Sequence, residues 1–140
     1  MVALLVVALQ LATAGECLKY DTEGVTLQGT IERHTYAGPP SYESIKGGDK
    51  KVTYWYLRLD RPLCTQPGAD EYTPAESGQE LVQLVFSGKN DRDHPYRRYR
   101  ALLGRHVAAS GSLFHQQVML HYTKVLISVS ELKASPRGKR

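Results

Sequence analysis

The segment Tyr42-Glu43-Ser44 sets an aromatic ring, a carboxylate and a hydroxyl in three successive positions. Gly38-Pro39-Pro40 precedes it and Gly47-Gly48-Asp49 follows it. Proline stiffens one end of such a loop and glycine lets the other end turn sharply, so its side chains are held in a fixed geometry. Glu43 and Asp49 form a possible acid/base pair, but six residues of loop set no distance between them. Ser41 and Ser44 have no base at a recognisable spacing. No Gly-x-Ser-x-Gly elbow, His-Glu-x-x-His or phosphate-binding loop occurs. The pattern therefore favours binding over catalysis.

Two further groups complete the inventory. Tyr54, Tyr56 and Arg58 alternate along VTYWYLRL, so a strand there sets them on one face. Tyrosine rings offer flat apolar area plus a hydroxyl, suited to sugars, peptides or bases. His115 and His121 flank a connection centred near Val118. Folded back as a hairpin, they bring two imidazoles toward one divalent metal, with Glu43, Asp49 or His34 needed to complete it. A small metal-dependent enzyme is thus one alternative. The His spacing is no metal signature, and neither a metal nor any other cofactor is expected.

Charge points to partners. The chain carries 18 Lys+Arg against 14 Asp+Glu, a formal net charge of +4. Arg97, Arg98, Arg100 and Arg105 cluster within nine residues, with Lys89 and Arg92 just before them. Basic surface beside aromatic platforms suits single-stranded nucleic acid, which makes a nucleic-acid binder the other alternative. That reading weakens if the chain is exported, because a polyanion of the envelope, an anionic surface or an acidic protein then takes its place.

Export is what the N-terminus implies. Twelve of the first fourteen residues are apolar and none is charged, and Ala12-Thr13-Ala14 offers a small-x-small cleavage site. Residues 1–14 read as a signal peptide, although no Lys or Arg precedes the apolar run. Glu16 before Cys17 argues against lipid attachment. In an oxidising compartment Cys17 and Cys64 are expected to pair, the other possibility being two separate buried thiols. A periplasmic or secreted location follows. With 140 residues in all, one domain is expected over residues 15–133, with a basic disordered tail at 134–140.

The elements that must position these groups follow from period and punctuation. Residues 25–31 alternate at period two and predict a strand. Residues 34–51 are Gly-, Pro- and Ser-rich and predict a long loop. Residues 52–59 predict a second strand with Trp55, Leu57 and Leu59 on its core face. Residues 60–80 carry three prolines, which argue against a regular element. Strands are expected at 81–86, 107–113 and 125–129, and a short helix from Pro95 to Leu103, started by Asp93 and ended by Gly104. The fold class is mainly β: a five-stranded OB-like small barrel with one short helix between strands three and four. Gly29 and Gly111 suit its tight coiling. An open five-stranded α+β sheet is the alternative.

The run RALLGRHVAASGSLFHQQVMLHYTKVLISVSEL at residues 100–132 resembles a bacterial family catalogued as domain of unknown function 4431. The matching features are Leu-Gly-x-x-Val, Gly-x-Leu-Phe-His, His121 and the closing Val-Leu-Ile strand. The segment at residues 38–49 resembles the upstream part of such proteins. The resemblance implies context and no chemistry. Fold-level likeness to periplasmic OB-fold proteins implies a face on strands two and three flanked by two loops. The expected function is recognition of an envelope protein, an exported enzyme or a glycan, without catalysis. The ligand-binding residues are expected to be Tyr42, Glu43, Asp49, Tyr54, Tyr56, Arg58, His115 and His121, with Arg97, Arg98 and Arg100 as a possible anion-facing surface.

Overall fold

The computed structural model describes residues 16–86 and 95–137. The signal-peptide reading at residues 1–14 and the helix start at Asp93 lie outside the described residues. Five strands form the molecule: β1 (Val25–Ala37), β2 (Lys51–Leu63), β3 (Gln79–Val85), β4 (His106–His115) and β5 (Val125–Ala134). Between β3 and β4 lie a single helical turn, α1 (Pro95–Arg98), and a 3-10 turn (Arg100–Leu102). The sheet closes into a barrel in the order β1-β2-β3-β5-β4. Only the β3–β5 pair is parallel, as it must be when the helical crossover carries the chain across the barrel floor. This is the expected OB-like architecture, and the open sheet is excluded.

Closure is achieved by one long strand. β1 pairs with β4 through residues 25–30 and with β2 through residues 29–37, so it must bend between the two partners. Gly29 sits at that bend, where a Cβ would run into the Arg58 carbonyl. Gly111 sits at the β4–β5 register shift, where a Cβ would run into the Ser128 carbonyl. At both sites two backbones approach more closely than any side chain permits.

The barrel interior is filled by alternate residues of every strand: Leu27 and Ile31, Trp55 and Leu57, Val82 and Leu84, Val107 to Leu113, and Val125 to Leu132. Burying each such side chain is worth about 1.5–3 kcal/mol. Tyr99, Leu102 and Leu103 pack against this core from the helical segment. Tyr96 meets Trp55 and Phe86 edge-on, at 5.2 and 5.4 Å between ring centroids.

Three strands run well past their expected ends. β1 runs six residues beyond residue 31, because His34 and Tyr36 continue its outward alternation opposite Tyr54 and Val52. β2 runs through Pro62 to Leu63. Proline is tolerated there because β1 has ceased pairing at Leu59 and the β2–β3 register breaks between Arg58 and Leu63, so no N–H is required. β5 reaches Ala134, paired with Val107, and the Ser135 N–H donates to the His106 carbonyl at 3.0 Å. The tail thus starts later than residue 134.

Cys17 and Cys64 form a disulfide, as expected. It anchors the N-terminal segment beside the end of β2, where Leu18 N–H donates to Cys64 O and Gln66 N–H to Leu18 O, both at 2.8 Å. The Tyr20 and Thr65 hydroxyls share a buried hydrogen bond of 2.8 Å. Residues 64–78 are irregular but tied down in this way.

Candidate binding face

Two loops and the outward residues of β1, β2 and β3 build one face. The β1–β2 loop (residues 38–50) is organised from within by Asp49. Its carboxylate accepts the N–H of Ser41 at 2.8 Å, of Glu43 at 2.8 Å and of Ser44 at 2.9 Å. These bonds, Ser44's first, hold the carboxyl below its ordinary range. Asp49 is buried, so its expected ligand contact is corrected to an internal anchor. The anchor fixes Tyr42 in the left-handed region, φ 59°, and leaves its ring exposed. Glu43 is also exposed on this loop.

Tyr54, Tyr56 and Arg58 do project from the outer side of β2, opposite His34, Glu32 and Thr30 of β1. Arg58 is not free, however. Its Nε donates to Glu32 Oε1 and its Nη2 to Glu32 Oε2 at 3.2 Å, and His34 Nε2 donates to the same carboxylate at 3.1 Å. The Arg58 bond chiefly holds the Glu32 carboxyl low. Arg58 is therefore half exposed but neutralised.

Tyr56 requires a larger correction. The sequence reading puts it on the open surface, yet it is fully buried. The His34 and Tyr36 rings meet it edge-on at 5.0 and 6.4 Å, and the β4–β5 loop (residues 116–124) closes on them through Tyr122. Gln83 of β3, paired with Tyr56, reaches up and fastens that loop: its Nε2 donates to Leu120 O at 3.1 Å and its Oε1 accepts the Tyr122 N–H at 2.8 Å. The Gln83 N–H donates to Thr123 Oγ1 at 3.0 Å, and that hydroxyl donates to Val125 O at 2.7 Å. Burial pushes the Tyr56 phenol far up. The Tyr36 phenol lies close by, outside hydrogen-bonding geometry.

On top of Tyr56 lies an aromatic cluster. Tyr122 stacks on Tyr36 with ring centroids 3.9 Å apart and planes 3° off parallel. Tyr54 lies 5.6 Å from Tyr122. Tyr42 completes the group, close enough for its phenol to act on those of Tyr54 and Tyr122. Burial raises the Tyr54 and Tyr122 phenols, so both stay neutral hydrogen-bond donors through the physiological range. Beside them the loop tip exposes Val118, Met119 and Leu120, with Met119 78% exposed.

The two histidines are not brought together for a metal. His115 Nε2 donates to Glu76 Oε1 at 2.9 Å, and its ring meets Tyr20 edge-on at 6.1 Å. It ties β4 to the irregular 64–78 segment. His121 Nδ1 accepts the Gln117 N–H at 3.0 Å, which shapes the β4–β5 loop, and burial lowers its pKa. Among the described residues no group of three or more His, Cys, Asp or Glu is placed to hold a metal ion.

The structure thus unites Tyr42 and Tyr54 of the expected set and adds Tyr36 and Tyr122, which the sequence reading missed. Tyr36 follows from the outward parity of His34, once β1 is extended past residue 31. Tyr122 lies in a loop whose path no sequence period reveals. Arg97, Arg98 and Arg100 are exposed, as expected of a solvated turn.

Residues 81–133 match the family described as Domain of unknown function (DUF4431). The resemblance seen at residues 100–132 therefore stands, and the match reaches back over β3. Residues 38–49 lie outside it. No curated protein matches the chain. The intramolecular disulfide fits an extracellular or periplasmic protein. Among the described residues no helix is long and apolar enough to cross a membrane.

Proposed function

We propose that the chain is an exported, non-catalytic OB-like module that recognises an envelope protein, an exported enzyme or a glycan through its tyrosine face. The observation that carries this reading is the Tyr36–Tyr122 stack, flanked by Tyr42 and Tyr54, between two loops that are each fastened from inside. Binding to such a surface orders little that is not already ordered, so its rings contribute affinity at small entropic cost. Asp49, Arg58, His115 and His121 are engaged within the fold, so what this face offers a ligand is its rings rather than these four groups, which supports binding. The location in the envelope is supported by the disulfide and by the apolar first fourteen residues.

The test is capture from an envelope extract by the natural chain and by Tyr54→Ala/Tyr122→Ala, both checked for folding by circular dichroism. The natural chain is expected to retain a component that the folded variant loses. Equal capture by both overturns the tyrosine face as the binding site. Recovery of the protein in the cytosolic fraction overturns its export.

A further inference from the structure

We infer that the ligand of this face is an acidic polysaccharide, its sugar rings lying on the tyrosines and its negative groups on the arginines of the α1 segment; this rests on the binding reading above. Arg97, Arg98, Arg100 and Arg105 are all exposed, and no carboxylate among the described residues forms an ion pair with them. Set these four aside and the 18 Lys+Arg of the chain fall level with its 14 Asp+Glu. The whole formal excess of positive charge is thus equal to what one nine-residue segment presents. Arg58 shows the contrast: it also points outward, and Glu32 neutralises it.

The basic segment packs against β2, the strand that carries Tyr54. Tyr96 of α1 rests on Trp55, which faces the barrel interior from β2 next to the outward Tyr54, and the Tyr54 phenol acts on that of Tyr96. Arg98 is carried 5.4 Å above the Tyr99 ring, and Tyr99 is itself stacked on Phe86 at 5.7 Å. That guanidinium is therefore held against the packed body of the barrel, where it loses less freedom on pairing. Guanidinium forks match carboxylate, sulfate and phosphate bidentately. Tyr42 is exposed and Tyr36, Tyr54 and Tyr122 are half-buried, and such rings suit the flat C–H faces of pyranose sugars. An acidic polysaccharide meets both, as a ringed, extended and repeatedly anionic chain. Nucleic acid shares the charge and the stacking, but the disulfide sets the chain in an oxidising compartment, away from most nucleic acid.

The experiment measures binding of the full chain to polygalacturonate, neutral dextran and poly(dT) by calorimetry. Polygalacturonate is expected to bind at least tenfold more tightly than either other probe. Raising salt from about 50 to 200 mM is expected to weaken it on the order of tenfold, as for a few released counterions. R97A/R98A/R100A is expected to lose at least tenfold, R97K/R98K/R100K less, and Tyr54→Ala/Tyr122→Ala at least tenfold. If the arginine-to-alanine variant binds polygalacturonate unchanged, or dextran binds as well, the acidic class is wrong while a tyrosine-face glycan reader survives. If poly(dT) binds more tightly, the ligand class is wrong. If only the tyrosine variant is neutral, the binding reading itself fails and this inference falls with it.

Discussion

The rings of Tyr36 and Tyr122 lie 3.9 Å apart and 3° from parallel, joining the far end of β1 to the β4–β5 loop across 86 positions of sequence. This contact turns the loop inward over the outer surface of β2 and β3. The surface that OB-like barrels commonly leave open is here covered at its centre by the chain's own loop. The open surface is the upper side of the stack, not the strands beneath. A double-mutant cycle on Tyr36→Ala and Tyr122→Ala is expected to give a coupling of about 0.5–1.5 kcal/mol in urea unfolding. A coupling of zero means that the stack adds nothing to loop closure.

Gln83 does the rest of the fastening, and its two amide atoms make different bonds. Gln83→Leu leaves Leu120 O and the Tyr122 N–H without their partners, at an expected cost of about 1–3 kcal/mol. Gln83→Glu keeps the acceptor for Tyr122 but cannot donate to Leu120, and it buries a carboxylate; it is expected to cost at least as much. Hydrogen exchange at the Tyr122 amide reads the loop directly. Exchange as slow as in the natural chain with Gln83→Leu contradicts the clamp.

Much of the barrel was legible because strands with one buried side alternate strictly. Trp55 and Leu57 announce the interior of β2, and Val125 and Ile127 that of β5. The binding face was legible only in halves. Parity puts both Tyr54 and Tyr56 on the outer side of β2, and both project there, but Tyr56 is buried, because parity tells which side of a sheet a residue faces and not what lies over that side. The His34 and Tyr36 rings meet Tyr56, and the loop that closes on them is held through Gln83, forty residues before that loop's Thr123. Asp49 reads as a ligand contact, because a carboxylate that ends a glycine turn looks alike in sequence whether it faces a ligand or the loop's own N–H groups.

The two strand glycines give a sharp test of closure. Gly29→Ala and Gly111→Ala each add one methyl group against a backbone carbonyl of the adjoining strand, which cannot rotate away. Each is expected to destabilise the barrel by about 1–3 kcal/mol, the range of overpacked sites. Gly24→Ala is the informative contrast: there a Cβ meets nothing within 4 Å, so only the strain of its φ of 80° remains. A thermal midpoint unchanged by Gly29→Ala or Gly111→Ala shows that the strands are not held so close.

Reduction of the disulfide tests how the N-terminal segment is held. A sequence separation of 47 between Cys17 and Cys64 corresponds to a loop-closure contribution of about 4 kcal/mol on the chain-entropy model. Cys17→Ser/Cys64→Ser is expected to lower the unfolding free energy toward that amount. Hydrogen exchange of the Leu18 and Gln66 amides should quicken more than that of Val107 or Ile127. Uniform quickening contradicts a local tether.

The pH dependence runs in opposite directions at two sites. His106 has an acceptor on each ring nitrogen, Ser135 O at 2.7 Å and Asp60 Oδ2 at 2.7 Å, and satisfies both only as the cation. Asp60 first and the Ser135 carbonyl second raise its pKa, against burial and the Arg137 charge. A raised value means that the latch contributes fully below the unfolded histidine range of about 6.5 and is lost as pH rises through the folded value. Asp49 behaves inversely. Its lowered pKa means that its contribution is present above the ordinary carboxylate range of about 3.9 and is lost as pH falls through the folded value. Thermal midpoints from about pH 2 to 9 should therefore fall at both ends. Asp60→Asn is expected to flatten the alkaline side alone, and Asp49→Asn to lessen the acid side alone, the lowered Glu32 carboxyl keeping the rest of it. An alkaline decline that Asp60→Asn leaves intact removes His106 as its cause.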